Sequence, residues 1–219
     1  MSTPTQLSLY NGALYLLGEE KLASVNENRE PRHVLDQFWN NGAVDYCLEQ
    51  GLWNFAIRSV KAEADSSITP DWGFQKVFLK PSDWIKTAVV CSDEYFRNPL
   101  TNLDWRDEVG YWFSNLEELY IRYVSNNSSY GQNLALWPKT FERFVEAYLA
   151  KMAGPRIKGV SAEKIKLAEA LYDKLESGAK SSDASNDGAA VQPDQSWAVA
   201  RRNGRGGRRD WGSRSRLTG

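Results

Sequence analysis

Apolar positions change period twice along the chain, and those changes divide it. Leu7, Tyr10, Leu14 and Leu17 fall on one helical face. Before them, Thr3-Pro4-Thr5-Gln6 has the form of a capping box, with Thr3 as N-cap and Pro4 at the first helical position, and Gly18 is a natural stop. A second helix is expected over residues 31–50, closed by Gly51. Val34, Leu35, Phe38, Val44, Cys47 and Leu48 share its inner face, and Asn40-Asn41-Gly42 weakens its middle. After Trp53 the period drops to two. Phe55, Ile57 and Ser59 alternate with Ala56, Arg58 and Val60, and further strands are expected at 74–79 and 87–91. Val109, Tyr111 and Phe113 alternate again, as do Leu119, Ile121 and Tyr123 with Tyr120, Arg122 and Val124. That predicts about five short strands, separated by a polar loop at 64–72, a turn at Lys80-Pro81-Ser82-Asp83-Trp84 and an irregular stretch at 92–106.

Helical spacing resumes after Trp137-Pro138. Phe141, Phe144, Val145, Tyr148, Leu149 and Met152 form a strong stripe closed by Gly154-Pro155. Ser161 caps a last helix in which Ile165, Ala168, Leu171, Tyr172 and Leu175 face inward, ending near Gly178. The predicted class is α+β: a four-helix bundle-like body (residues 1–54 and 132–178) interrupted by a β-rich insertion (55–131). A Ser/Asp/Ala-rich linker at 179–197 and an arm at 198–219 follow. With 219 residues, one domain with a sizeable insertion is expected, and no internal repeat is present.

Charge separates the arm from the rest. Residues 198–219 hold seven arginines against one aspartate, a net +6; the chain totals −1, so residues 1–197 carry −7. The arm has little to bury and much backbone entropy to lose, so it reads as a free arm or as a strap ordered by a partner. Its segment 203–209 resembles the Arg/Gly segments that bind single-stranded nucleic acid. A solubilising tail, direct phosphate contact and a strap onto an acidic protein surface all fit the composition. Trp197 and Trp211 favour the strap, because tryptophan anchors protein interfaces. Nine Trp, ten Tyr and eight Phe suit interfaces as well as cores.

Little points to catalysis. His33 is the only histidine and reads as a surface or capping residue near a helix start; Cys47 and Cys91 read as buried, reduced thiols. Three scattered candidates make neither a zinc site nor a histidine triad, so no metal, cofactor or catalytic residue is assigned. Carboxylates gather at Asp104, Asp107 and Glu108 and at Glu117 and Glu118, beside Trp105 and Trp112. A glycosidase needs two carboxylates facing each other across a sugar cleft, which spacing alone does not show. No secretory signal is read and no stretch approaches the ~18 apolar residues of a membrane helix, so a soluble chain made in the cytoplasm is expected.

Scattered landmarks carry a resemblance over nearly the whole chain. They are Leu9-Tyr10-Asn11-Gly12-Ala13-Leu14 with Leu17-Gly18, Arg32 with Leu35-Asp36, and Gly51-Leu52-Trp53-Asn54-Phe55-Ala56. Later ones are Phe78-Leu79-Lys80-Pro81-Ser82-Asp83-Trp84, Leu119 to Val124, Leu136-Trp137-Pro138 before Phe141, Tyr148-Leu149-Ala150, and Ser196-Trp197-Ala198-Val199-Ala200-Arg201-Arg202. This pattern resembles the head–tail adaptor (connector) proteins of tailed bacteriophages, a family that includes tail tubular protein A of short-tailed phages. The extension 203–219 goes beyond its shorter members.

The resemblance implies a virion protein at the head–tail junction, forming a ring, usually of twelve copies, beneath the portal protein. The ring would meet a tail nozzle or tail tube protein and continue the channel for genomic DNA, with no membrane partner. It also implies that the C-terminal arm reaches the portal. The docking residues would be Trp197, Arg201, Arg202, Arg205, Arg208, Arg209, Trp211, Arg214 and Arg216, whose guanidiniums can grip carboxylates bidentately. An acidic body would suit a channel wall that lets DNA slide. The alternatives are a nucleic-acid-binding protein acting through the arm and, less favoured, a cell-wall-degrading glycosidase.

Overall fold

The computed structural model describes residues 4–71 and 73–185. Five helices and six strands occur among them: α1 (Gln6–Leu17), α2 (Glu30–Asn40), α3 (Ala43–Glu49), β1 (Ile57–Glu63), β2 (Lys76–Leu79), β3 (Trp84–Cys91), β4 (Trp105–Glu108), β5 (Tyr111–Ser114), β6 (Glu118–Ser125), α4 (Lys139–Ala153) and α5 (Ala162–Ala184). The α+β class is as expected.

Helix α1 starts two residues later than the sequence pattern suggested. Thr5, not Thr3, is the N-cap: its hydroxyl accepts from the Ser8 N–H at 3.2 Å, and the Ser8 hydroxyl accepts from the Thr5 N–H at 2.9 Å. Ser8 completes the reciprocal box that Gln6 was expected to close, leaving Pro4 outside the helix. Leu9, Tyr10, Ala13, Leu14 and Leu17 are then buried, and Gly18 ends the helix as expected. The single helix over 31–50 is in fact two. Gly42 takes φ +88°, a left-handed conformation that breaks the ladder between α2 and α3 and re-aims Val44, Cys47 and Leu48 into the core.

Helix α4 is the axis of the main core. Phe141, Phe144, Val145, Leu149 and Ala150 are fully buried against α1, α2, α3 and α5. Met152, expected on that face, lies at its margin and is exposed. Helix α5 does not end near Gly178 but runs to Ala184, because its buried stripe continues through Ala168, Tyr172, Ala179 and Asp183. Residues 179–184, expected in a linker, are therefore helical, and Asp183 accepts from the Asn54 backbone N–H at 3.1 Å.

The strands form two antiparallel three-stranded sheets, ordered β1-β6-β3 and β2-β5-β4. A second, smaller core of Phe78, Val90, Trp112, Leu119 and Ile121 lies within this β-rich part. Strand β6 serves both cores, since Val124 belongs to the helical one. The sixth strand, β4, falls where an irregular stretch was expected. Its positions read Trp-Arg-Asp-Glu, so no apolar alternation announces it. Val109, expected in a strand, instead sits with Gly110 in the two-residue turn joining β4 to β5, at φ +39° and +83°. Two positive φ values make the turn that matches strand twist, but valine is an unsuitable residue for it.

Replacing Val109 with asparagine, which tolerates positive φ, should stabilise the fold by about 1 kcal/mol, or roughly 2–4 °C in Tm, measured by thermal denaturation. A lowered Tm would refute the assignment of strain to this turn.

Candidate functional site

The arm residues singled out from sequence, Trp197, Arg201, Arg202, Arg205, Arg208, Arg209, Trp211, Arg214 and Arg216, lie outside the described residues. What the described residues offer is a folded body with two polar junctions and several surfaces where apolar groups meet solvent.

The first junction is centred on Asp83, in the turn before β3. Its carboxylate accepts from the Tyr123 hydroxyl at 3.0 Å, from Arg58 Nη1 at 2.9 Å and from the Ser125 hydroxyl, while its carbonyl accepts from the Asn126 N–H. Burial pushes the carboxyl up, but the hydrogen bonds from Ser125, Arg58 and Tyr123 outweigh it and hold Asp83 below the usual carboxylate range. Burial, reinforced by that carboxylate, pushes the Tyr123 hydroxyl up to about 12.

The second junction joins the two sheets. Thr87 accepts from the indoles of Trp84 (3.0 Å) and Trp112 (2.9 Å) and donates to Asp107 at 2.8 Å. Asp107 also pairs with Lys80, whose ammonium lies 3.6 Å from the centre of the Trp84 ring and is almost entirely covered. A carboxylate and a ring face are the partners that offset the cost of covering a lysine side chain.

The five clustered carboxylates do not converge. Asp107 faces inward to Lys80, Asp104 accepts from Thr101, and Glu117 and Glu118 pair with Lys76 and Lys61 at 2.8 and 2.6 Å. Glu108 points to the opposite face of its strand from Asp107, in register with Tyr111. Trp112 is fully buried and Trp105 packs against the smaller core, so neither presents a face for stacking a sugar. Cys47 and Cys91 are buried free thiols pushed up by burial, and His33 is exposed beside Asn28. Among the described residues no cluster of His, Cys, Asp or Glu could hold a metal, and no helix is long and apolar enough to cross a membrane.

Three surface features were not legible in the sequence. The β4–β5 turn projects Val109 with 94% of its surface exposed, and Leu79, at the same end of the sheet, is 62% exposed. Beside them a cleft of about 620 Å³ is lined by Phe74, Leu103, Arg106, Glu108 and Phe113. On the helical side, Leu175, Gly178 and Ala179 floor a groove of about 200 Å³ between α4 and α5, rimmed by Lys139 and Arg143. The third is Glu146 of α4, half-buried against Gly12 of α1. Burial, with Glu142 one turn away, raises its carboxyl to about 7.

Two outcomes check these environments. Asp83→Ala should destabilise by about 3 kcal/mol in a denaturant titration, since Arg58, Tyr123 and Ser125 lose one shared acceptor. Because the folded pKa of Asp83 is depressed, its contribution is present above the unfolded value and is lost as pH falls through the folded one. Glu146 has the opposite sign: its folded pKa lies above the unfolded value of about 4.3, so ionisation penalises the fold increasingly between pH ~4.3 and ~7. Glu146→Gln should therefore gain Tm over the parent across that window and keep the gain above it; a difference independent of pH would refute the buried-acid assignment.

No protein-family model matches the chain, and no curated protein matches it.

Proposed function

We propose that the chain is a structural head–tail adaptor of a tailed bacteriophage. Copies form a ring between the portal protein and the tail nozzle or tail tube protein, twelve copies being the usual number in the family that the sequence resembles. The ring continues the DNA channel at the head–tail junction of the virion. The body is the four-helix bundle-like part, with α2 and α3 acting as one broken helix, and the paired sheets are its insertion. The C-terminal arm straps onto the portal, with Trp197 and Trp211 as anchors and the arginines at 201, 202, 205, 208, 209, 214 and 216 as carboxylate grips. No catalysis is assigned.

One observation supports this reading: the chain combines two unlike features, each suited to docking a neighbour. One is the apolar end of the small sheet, where Val109 and Leu79 face solvent beside the Lys80–Asp107 pair and the carboxylate of Glu108, unpaired among the described residues. The other is the +6 arm behind a −7 remainder. An adaptor must hold two different neighbours, whereas a carboxylate enzyme needs converging acids. The segment 203–209 favours a second reading, in which the arm grips nucleic acid phosphates instead.

Removing residues 198–219 separates the two. The truncated chain should keep its cooperative unfolding transition but lose docking on portal rings in co-sedimentation, and electron microscopy of the full chain with its portal should show coaxial rings. Portal docking that survives truncation would overturn the strap. Steeply salt-dependent binding of single-stranded DNA, lost on truncation while portal docking persists, would reassign the arm to nucleic acid.

A further inference from the structure

Two places in the fold carry local costs that nothing among the described residues repays, and their chemistry is complementary. The first is the β4–β5 turn. Val109 holds a positive φ that a β-branched side chain resists, and it projects that apolar side chain into solvent. Its neighbour Glu108 is exposed and shares the cleft with Arg106; no hydrogen bond or ion pair engages its carboxylate among the described residues, unlike that of Asp107, which is held by Lys80 and Thr87. The tip is thus an aliphatic knob beside a free carboxylate.

The second place is the groove between α4 and α5. Gly178 lies inside α5, where glycine costs roughly 1 kcal/mol relative to alanine. A side chain there would meet nothing within 4 Å, so no internal crowding calls for glycine. What a bare helix position does permit is close approach of another surface to the backbone. Around it, Leu175 and Ala179 make an apolar floor, with Lys139 and Arg143 on the rim. Lys139 is committed to Glu142 at 2.6 Å; the Arg143 guanidinium makes no hydrogen bond or ion pair among the described residues, and its charge acts on Glu146 of the same helix. The groove is thus an aliphatic socket beside a free guanidinium.

We infer that the β4–β5 tip of one copy inserts into the α4–α5 groove of a second copy, with Val109 seated over Gly178 and Glu108 meeting Arg143. Knob and socket are different surfaces of the same chain, so the contact is head-to-tail, and repetition of a head-to-tail contact closes a ring or propagates a fibre. The inference deepens the adaptor reading and rests on it for ring closure; the contact itself stands on the tip and the groove. It assigns the strain at Val109 to assembly: the turn presents an apolar residue where folding alone favours asparagine.

Cysteines at positions 109 and 178 test the geometry, since both positions are exposed and both native cysteines are buried. The full chain carrying Val109→Cys and Gly178→Cys, treated with a short bis-maleimide under native conditions, should give a ladder of dimers, trimers and larger species on a denaturing gel. A mixture of the two single variants should stop at dimers. Efficient cross-linking of the Val109→Cys variant with itself would mean a tip-to-tip contact and would overturn the proposal. Rings seen by electron microscopy without a ladder would overturn this contact while leaving the adaptor reading in place. A chain that stays monomeric under all conditions, even on its portal, would overturn both the contact and the ring. Charge reversal supplies an independent check: Glu108→Arg and Arg143→Glu should each weaken self-association by about tenfold or more, and together restore it. Val109→Asn should weaken association while raising Tm, which separates loss of contact from loss of fold; unchanged association would count against the knob.

Discussion

The ring of Phe141 holds the two halves of this fold together. The chain leaves the helical body at Trp53 and Phe55 and returns to it at Trp137, and all three rings pack against Phe141, with centroids 4.8–4.9 Å away. Two of the contacts are edge-on, the geometry that aromatic quadrupoles favour. An insertion can be carried without splitting a core only if its two ends are brought back to one place. Here one fully buried side chain on the central helix does so, and Phe144 extends the cluster to Tyr172 of α5.

From that anchor the β-rich part is held by polar bonds as well as by its small apolar core. Asp83 collects donors from β1 and β6, and Thr87 collects the indoles of Trp84 and Trp112 while passing its own proton to Asp107. Such junctions add direction where a core of five buried residues adds only contact area. They fix which faces of the sheets meet, and so fix that the β4–β5 turn points outward with Val109 at its tip.

The helices were legible because each carries a one-sided stripe: residues 141, 144, 145 and 149 on α4 and residues 168 and 172 on α5 read inward from spacing alone. Caps were less so. Thr3 and Thr5 are equivalent as letters, and only the position of Ser8 decides between them. Gly178 has the form of a stop, yet burial of Ala179 and Asp183 carries α5 past it. Strand β4 was hidden because its inward aspartate is made acceptable by Lys80, a residue 27 positions away that only the sheet register brings near. Asp83 was visible as a turn residue, whereas the convergence of Arg58, Tyr123 and Ser125 on it is a property of two paired strands and the turn before β3. The exposed knob and the empty socket leave no periodic signature at all. They are defined by being left uncovered among the described residues.

The hydrogen bonds between Asp183 and Asn54 have a mechanical meaning. Asp183 stands in the last turn of α5, and Asn54 stands at the root of the sheets, where its backbone N–H and side-chain amide both donate to that residue. These bonds tie the last turn of α5 to the base of the β-rich part and, through Trp53 next to it, to the ring of Phe141, so that a pull on that end of the helix would be shared with the centre of the fold.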